Sequence, residues 1–285
     1  KFKMIFISTG GFPNKKGIEV YNEMQNQGIS HIEFSGGLND LKFIKKMKNL
    51  KKNFQFHNYF PPPKKSFVLN LSSTNANVAT KSMKFVEKNI IYSKIIGCKF
   101  YSFHAGYLTD PLPSELGFKI KKKKIISKEV ALELFKKRLF QLLRVAKKNK
   151  IKLLIENNVL SKKNLNEFGI NPFLLTEPKE IEDFFKSFKN YKENLGLLLD
   201  TGHLKVSSKT LGFNLQDAHK RIKAYVKGYH LSDNNGKRDN NKEFTSTSWF
   251  WKNMNLNANF FTIEVYNCSI NKYNKLVKIV EKKIY

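Results

Sequence analysis

Short apolar runs rich in β-branched and aromatic residues recur along the chain, and longer stretches with helical periodicity lie between them. The runs are KMIFIS (3–8), HIEFS (31–35), FQFHNYF (54–60), KFYSFHA (99–105), KLLIEN (152–157), LGLLLD (195–200), VKGYHLS (226–232) and NFFTIEV (259–265). The clearest helical stretch is 127–149. There Ser127 is a candidate N-cap, and Val130, Leu134, Phe135, Leu139, Leu142, Leu143 and Val145 form its apolar side. Residues 75–96, 177–188 and 270–283 show similar spacing. Strand–helix alternation predicts a parallel sheet. Eight repeats within 285 residues predict one closed (β/α)8 TIM barrel, a single α/β domain over 1–285. A doubly wound open sheet is the alternative, but STGGFPNKKG after the first run lacks the G-x-G-x-x-G spacing of a dinucleotide loop. The longest irregular stretch, 106–126, is expected to wall or cover the C-terminal face.

In such a barrel the C-terminal ends of the strands converge on one pocket. Ligand-type residues stand there: Glu33, His57, His104, Glu156, Asp200, His230 and Glu264, with His203 one short turn beyond Asp200. Histidine and acidic residues are scarce, 6 and 23 in all, so their concentration at strand ends is not expected from composition. A lone strand-end Glu can be an ion pair with a nearby Lys, and His57 or His104 can be a hydrogen-bonded core histidine. Glu156, Asp200, His230 and Glu264 together end four consecutive predicted strands. Three carboxylates and one imidazole suit one divalent ion of the Mn, Mg, Co or Zn type. That ion would compensate carboxylates that could not otherwise be buried. His31 and His219 receive no role.

The formal net charge of +29 admits two readings, a polyanionic partner or compositional bias. The bias reading is favoured because Arg138, Arg144, Arg221 and Arg238 are the only arginines, and the lysines are scattered. No apolar run approaches the length of a membrane span. Cys98 and Cys268 form neither a metal motif nor a disulfide framework. A cytoplasmic setting is therefore expected.

The set FHNYFPPP, SFHAGY, LLIENN, LLDTGHL, YHLSDNNGKRDN and FTIEVYN resembles the xylose isomerase-like TIM barrels, with DTGH and HLSD the most specific parts. That superfamily holds sugar isomerases and epimerases and, more distantly, endonuclease IV-type apurinic-site nucleases. The epimerase branch implies metal ligands Glu156, Asp200, His230 and Glu264, with Glu156 and Glu264 also acting as the acid/base pair. It implies substrate contacts from His203, His57, His104 and Arg238. The nuclease branch implies a zinc cluster. In it His57 and His104 join Glu156, and His203 joins an Asp-x-His pair. Here that pair reads Asp239 and Asn241, and an amide is a poor zinc ligand.

The expected activity is thus metal-dependent isomerisation or epimerisation of a small sugar or sugar phosphate, by proton abstraction next to a carbonyl. The alternative is an abasic-site DNA nuclease, with nucleic acid as partner. A homo-oligomer is compatible with either. Tyr107, Tyr266, Trp249 and Trp251 are candidate specificity residues, and the basic loop 119–124 is a candidate recruiter of an anionic substrate.

Overall fold

The computed structural model describes residues 3–38, 41–50 and 53–285. Among these residues, eight parallel strands close into one barrel in chain order. They are β1 (Met4–Ser8), β2 (His31–Phe34), β3 (Asn53–His57), β4 (Phe100–His104), β5 (Lys152–Glu156), β6 (Leu195–Asp200), β7 (Val226–Leu231) and β8 (Phe260–Ile263). Closure comes from β8 pairing with β1, Met4 opposite Phe260 and Ile7 opposite Ile263. The α-helices are α1 (Gly17–Asn26), α2 (Leu41–Met47), α3 (Ala76–Ile96), α4 (Lys128–Asn149), α5 (Lys162–Phe168), α6 (Pro178–Ser187), α7 (Thr201–Leu211), α8 (Leu215–Ile222) and α9 (Ile270–Ile284). Each apolar run read from the sequence coincides with one strand, β3 beginning one residue before its run, at Asn53. Among the described residues no helix is long and apolar enough to cross a membrane.

The twofold period of the strands divides their side chains between two environments. One set, including Phe34, Phe56, Phe103, Ile155, Leu197, Leu199, Leu231 and Ile263, packs with helix residues in the main core. The other set points into the barrel. Phe6, Phe100, Leu154, Leu198 and Phe260 form a separate buried cluster there. Two residues further along the same strands come Ser8, Ser102, Glu156, Asp200 and Thr262, all buried. The barrel is therefore plugged by apolar side chains toward its N-terminal end and lined by polar ones toward its C-terminal end. The plug is tight: a Cβ on Gly228 would sit 2.4 Å from the Phe260 ring.

Helix α4 begins where expected, with Ser127 Oγ accepting from the Val130 N–H at 3.3 Å. Its buried stripe differs from the apolar side read from the sequence. Ala131, Phe135, Leu139, Leu142, Leu143 and Ala146 are buried, while Val130 is exposed. The two alanines lie on the Phe135–Leu139 arc, and their small side chains admit close packing on the neighbouring layer.

The long segment after β4 forms a wall of the C-terminal face, as expected. Ile120 is buried beside Tyr107, Leu160, Phe168 and Phe173. Asn164 on α5 accepts from the Ile120 N–H at 2.9 Å and donates to the Phe118 carbonyl at 3.2 Å. Glu115 ties the wall together, accepting from the Leu112 N–H (2.7 Å), the Lys121 N–H (3.1 Å) and Lys123 Nζ (2.7 Å). Burial disfavours its charge, but these donors prevail and bring its pKa down to about 2.

Two consequences are measurable. Gly228→Ala should lower stability in chemical denaturation by about 1–3 kcal/mol, because the added methyl overpacks the barrel plug. Glu115 has a depressed folded-state pKa, so its stabilisation is complete above its ordinary value of about 4.3 and is lost as pH falls toward 2. The stability gap between wild type and Glu115→Gln should therefore narrow steadily on acidification below pH ~4.5. A pH-independent gap would refute the assignment.

Candidate metal centre

Each functional side chain is placed by a strand end and then fixed by the motif around it. Asp200 closes β6 and also caps α7: its Oδ1 accepts from the His203 N–H at 2.8 Å. Its Oδ2 is buried without a hydrogen-bond partner among the described residues. Asn157, just past β5, accepts from the Asp200 N–H at 2.8 Å and donates to the Asp200 carbonyl at 3.2 Å. The Asn157 carbonyl faces His203 Nδ1 at 2.9 Å, which makes Nδ1 the protonated nitrogen and leaves Nε2 aimed inward. Gly202 is required by close approach, since a Cβ there would lie 2.8 Å from Ser232 Oγ and 2.9 Å from Asp239 Oδ1. The ENN and DTGH segments thus interlock through amide and backbone bonds.

Glu156 lies at the centre. Its Oε2 is 3.2 Å from His57 Nε2 and 3.1 Å from His104 Nδ1. Its Oε1 is 3.0 Å from His230 Nδ1, which is also 2.9 Å from Glu264 Oε2. On its far side His230 Nε2 is 2.7 Å from Glu33 Oε1. Glu33 is fully buried, and its other oxygen accepts from Gln55 Nε2 (2.6 Å) and Thr262 Oγ1 (3.1 Å). His203 Nε2 faces Asp239 Oδ2 at 3.0 Å, and His57 Nδ1 pairs with Ser102 Oγ at 2.9 Å. Tyr266 Oη and Ser8 Oγ donate to Glu264 Oε1 at 3.2 and 3.4 Å.

The charges do not balance without help. In Asp200 burial, reinforced by Asp239, Glu156 and Glu264, raises the carboxyl well above the ordinary range despite His203. Burial favours neutral His230, yet Glu33, Glu264 and Glu156 raise it well above the usual imidazole range. Against the same burial, Asp200 and Asp239 raise His203. Burial takes His104 down to about 4. Glu156 is held well below the carboxylate range because His104, His57 and His230 outweigh its burial, and His230 brings Glu264 down to about 2 in the same way. Protons on Asp200, His203 and His230 thus occupy places where a cation could stand.

The donor atoms satisfy that reading geometrically. Glu156, Asp200, His230 and Glu264 bring one ligand atom each within 4.8 Å of one another. So do His57, His104 and Glu156, and so do Asp200, His203 and Asp239. Besides Asp200 Oδ2, Glu156 Oε2 is buried without a hydrogen-bond partner among the described residues. The oxygen–nitrogen donor set suits a divalent ion of the kind expected, so the residues present fit one.

Of these groups His57, His104, Glu156, His203, Asp239 and Glu264 line a cavity of about 730 Å³, while Asp200 and His230 are fully buried and outside its lining. Tyr107 and Tyr266 line it, and Arg238 reaches it from the exposed loop after β7. Trp249 instead packs on His219 and Phe250, and Trp251 on Phe244 and Phe250, outside the lining. Of the basic loop, Lys119 and Ile120 line the cavity, whereas Lys121 to Lys124 do not. His219 bonds the Tyr229 hydroxyl at 3.0 Å, a structural role.

The family model for xylose isomerase-like TIM barrels matches residues 16–265. The chain belongs to that family. No curated protein matches the sequence. Solved structures share the barrel. A D-tagatose 3-epimerase-like protein is 16% identical with a TM-score of 0.70, covering 100% of both chains. D-psicose 3-epimerase from Clostridium cellulolyticum H10, solved with D-tagatose, is 14% identical with a TM-score of 0.65, over 99% of this chain and 96% of that one. A xylose isomerase-like barrel protein from Mycobacterium smegmatis, in complex with magnesium, is 12% identical with a TM-score of 0.66, over 100% and 98%.

Within this xylose isomerase-like barrel, Glu33 and Asn157 are the residues that sequence reading left without a role. Glu33 stood at a strand end, but its pairing with His230 crosses the barrel and has no signature in spacing. Glu33→Gln should weaken divalent-ion affinity by roughly 10–100-fold in a chelator competition, because the amide no longer fixes the His230 ring and tautomer. Unchanged affinity would show that Glu33 does not orient His230.

Proposed function

We propose that the protein is a divalent-metal-dependent isomerase or epimerase of a small sugar or sugar phosphate. The observation that carries this reading is the convergence of Glu156 Oε1 and Glu264 Oε2 on the same His230 nitrogen, Nδ1, at 3.0 and 2.9 Å, with both glutamates lining one cavity. Glu156, Asp200, His230 and Glu264 are the residues that would hold the metal. When bound, a divalent ion supplies Lewis-acid polarisation of a ketose carbonyl and its neighbouring hydroxyl, which acidifies the intervening C–H.

The chain's own residues do the rest. Glu264, held ionised and steered by Tyr266 and Ser8, is set to take the proton from the carbon beside the carbonyl. Glu156 is set to return a proton on the opposite side. His57, His104 and His203 surround the cavity floor and present nitrogens toward substrate oxygens or ligand carboxylates. Arg238 is the candidate contact for a hydroxyl or phosphate at the outer end. The wall that includes Tyr107 and Ile120 restricts water access.

A second reading is favoured by one specific observation. The three candidate ligand groups run in series and share Glu156 and Asp200, an arrangement that suits a metal cluster and hence the abasic-site nuclease chemistry. Asn241 weakens it. Its side chain replaces the imidazole expected there, and its backbone carbonyl accepts from the Tyr266 N–H at 2.9 Å.

Incubation in D₂O with a panel of ketoses and ketose phosphates should place solvent deuterium next to the carbonyl. Glu264→Gln should slow that exchange by about 10²–10⁴-fold, the usual value of a general acid or base. Exchange at the wild-type rate in this variant would sink the assignment. Elemental analysis should find one ion per chain; two or three ions, together with nicking of an abasic duplex, would establish the second reading.

A further inference from the structure

The cavity floor is built from paired groups, but its mouth is not. Lys162 and Lys163, on the segment after β5, and Lys237 and Arg238, after β7, line the same cavity from two sides. All four are exposed, and among the described residues none of these side chains has a hydrogen-bond or ion-pair partner. Lys119, which also lines the cavity, is neutralised by Glu167 at 2.5 Å, and Lys123, outside the lining, by Glu115 at 2.7 Å. The carboxylates that line the cavity are all engaged: Glu115 in the wall, Asp239 with His203, and Glu156 and Glu264 at the floor.

Lysine abundance alone explains scattered surface cations. It does not explain why four cations without carboxylate partners converge on one concavity whose lining carboxylates are all engaged elsewhere. Like charges facing one another across a cleft repel, and a low-dielectric cleft focuses their field on whatever anion enters. A phosphate monoester matches this best. It carries up to two negative charges and three acceptor oxygens, which suit both a guanidinium fork and point-charge ammonium groups. The cavity, at about 730 Å³, extends well past what a bare monosaccharide at the floor fills.

We propose that the mouth, through Lys162, Lys163, Lys237 and Arg238, recognises a phosphate group on the sugar, at the end remote from the reacting carbon. The substrate class is then a ketose phosphate and not a free ketose. This rests on the isomerase reading for the identity of the floor, but the recognition itself is measurable by binding.

The test uses the metal-loaded protein and calorimetric titration with ribulose 5-phosphate, fructose 6-phosphate and their unphosphorylated parents. The phosphorylated forms should bind at least about tenfold tighter, as one retained charge-assisted contact implies, and inorganic phosphate should compete. The preference should collapse toward unity in Lys162→Glu/Lys163→Glu and, separately, in Arg238→Glu, and should shrink at high salt. Lys121→Glu/Lys122→Glu makes the same change of net charge outside the cavity and should retain the preference. Equal binding of the two sugar classes, or equal loss in this control pair, overturns the proposal. So does tighter binding of an abasic duplex that the mouth variants abolish, which would make the mouth a nucleic-acid site. Deuterium exchange separates the two readings. Phosphate preference without exchange in any ketose leaves the mouth assignment standing and removes the isomerase. Exchange in free ketoses that is indifferent to the mouth variants does the reverse.

Discussion

The constraint on which the structure depends is the burial of several carboxylates at one end of a barrel. Glu33, Glu156, Asp200 and Glu264 are nearly inaccessible to water, and an unpaired buried charge costs several kcal/mol. Each is therefore found against an imidazole: Glu33 and Glu264 on His230, Glu156 on His57, His104 and His230, and Asp200 near His203. The pairing is incomplete, since Glu156 Oε2 and Asp200 Oδ2 keep no hydrogen-bond donor among the described residues. A cation resolves this in a way that further protons do not, because it faces several oxygens at once.

Such a site works only if its ligands hold still and present the right atoms. The fold achieves this by fixing the outward nitrogen of each ring. Asn157 holds His203 Nδ1, Ser102 holds His57 Nδ1 and Glu33 holds His230 Nε2. The other nitrogen of each ring is then left toward the cluster. The same economy appears at Asp200, where one oxygen caps α7 and the other faces inward.

Charge is graded along the pocket. Carboxylates and imidazoles cluster at the floor, Glu115 is engaged in the wall, and unpaired cations stand at the mouth. The large positive charge of the chain therefore does not act as a uniform field. Most lysines face solvent on helices, where their effect is screened. Only those bordering the concavity can act on a ligand at short range.

The eight strands, their parallel order and the helix after Ser127 were legible in the sequence, because hydrophobic periodicity is a local record of which face is buried. So was the convergence of Glu156, Asp200, His230 and Glu264 on one point, because strand-end position converts directly into proximity in a closed barrel. Other features had no local record. The exposure of Val130 was set by how α4 packs on its neighbours. The exclusion of Trp249 and Trp251 from the cavity was set by the loop after β7 folding outward onto α8. Glu33 meets His230 only because β2 and β7 face each other across the barrel interior, about 200 residues apart in sequence. What the sequence determined by itself is the barrel and the residues at its rim, since both follow from spacing along one chain. Which nitrogen faces inward, which cations lack partners and which side chains touch across the lumen were decided by tertiary structure, because those are contacts between segments that share no local pattern.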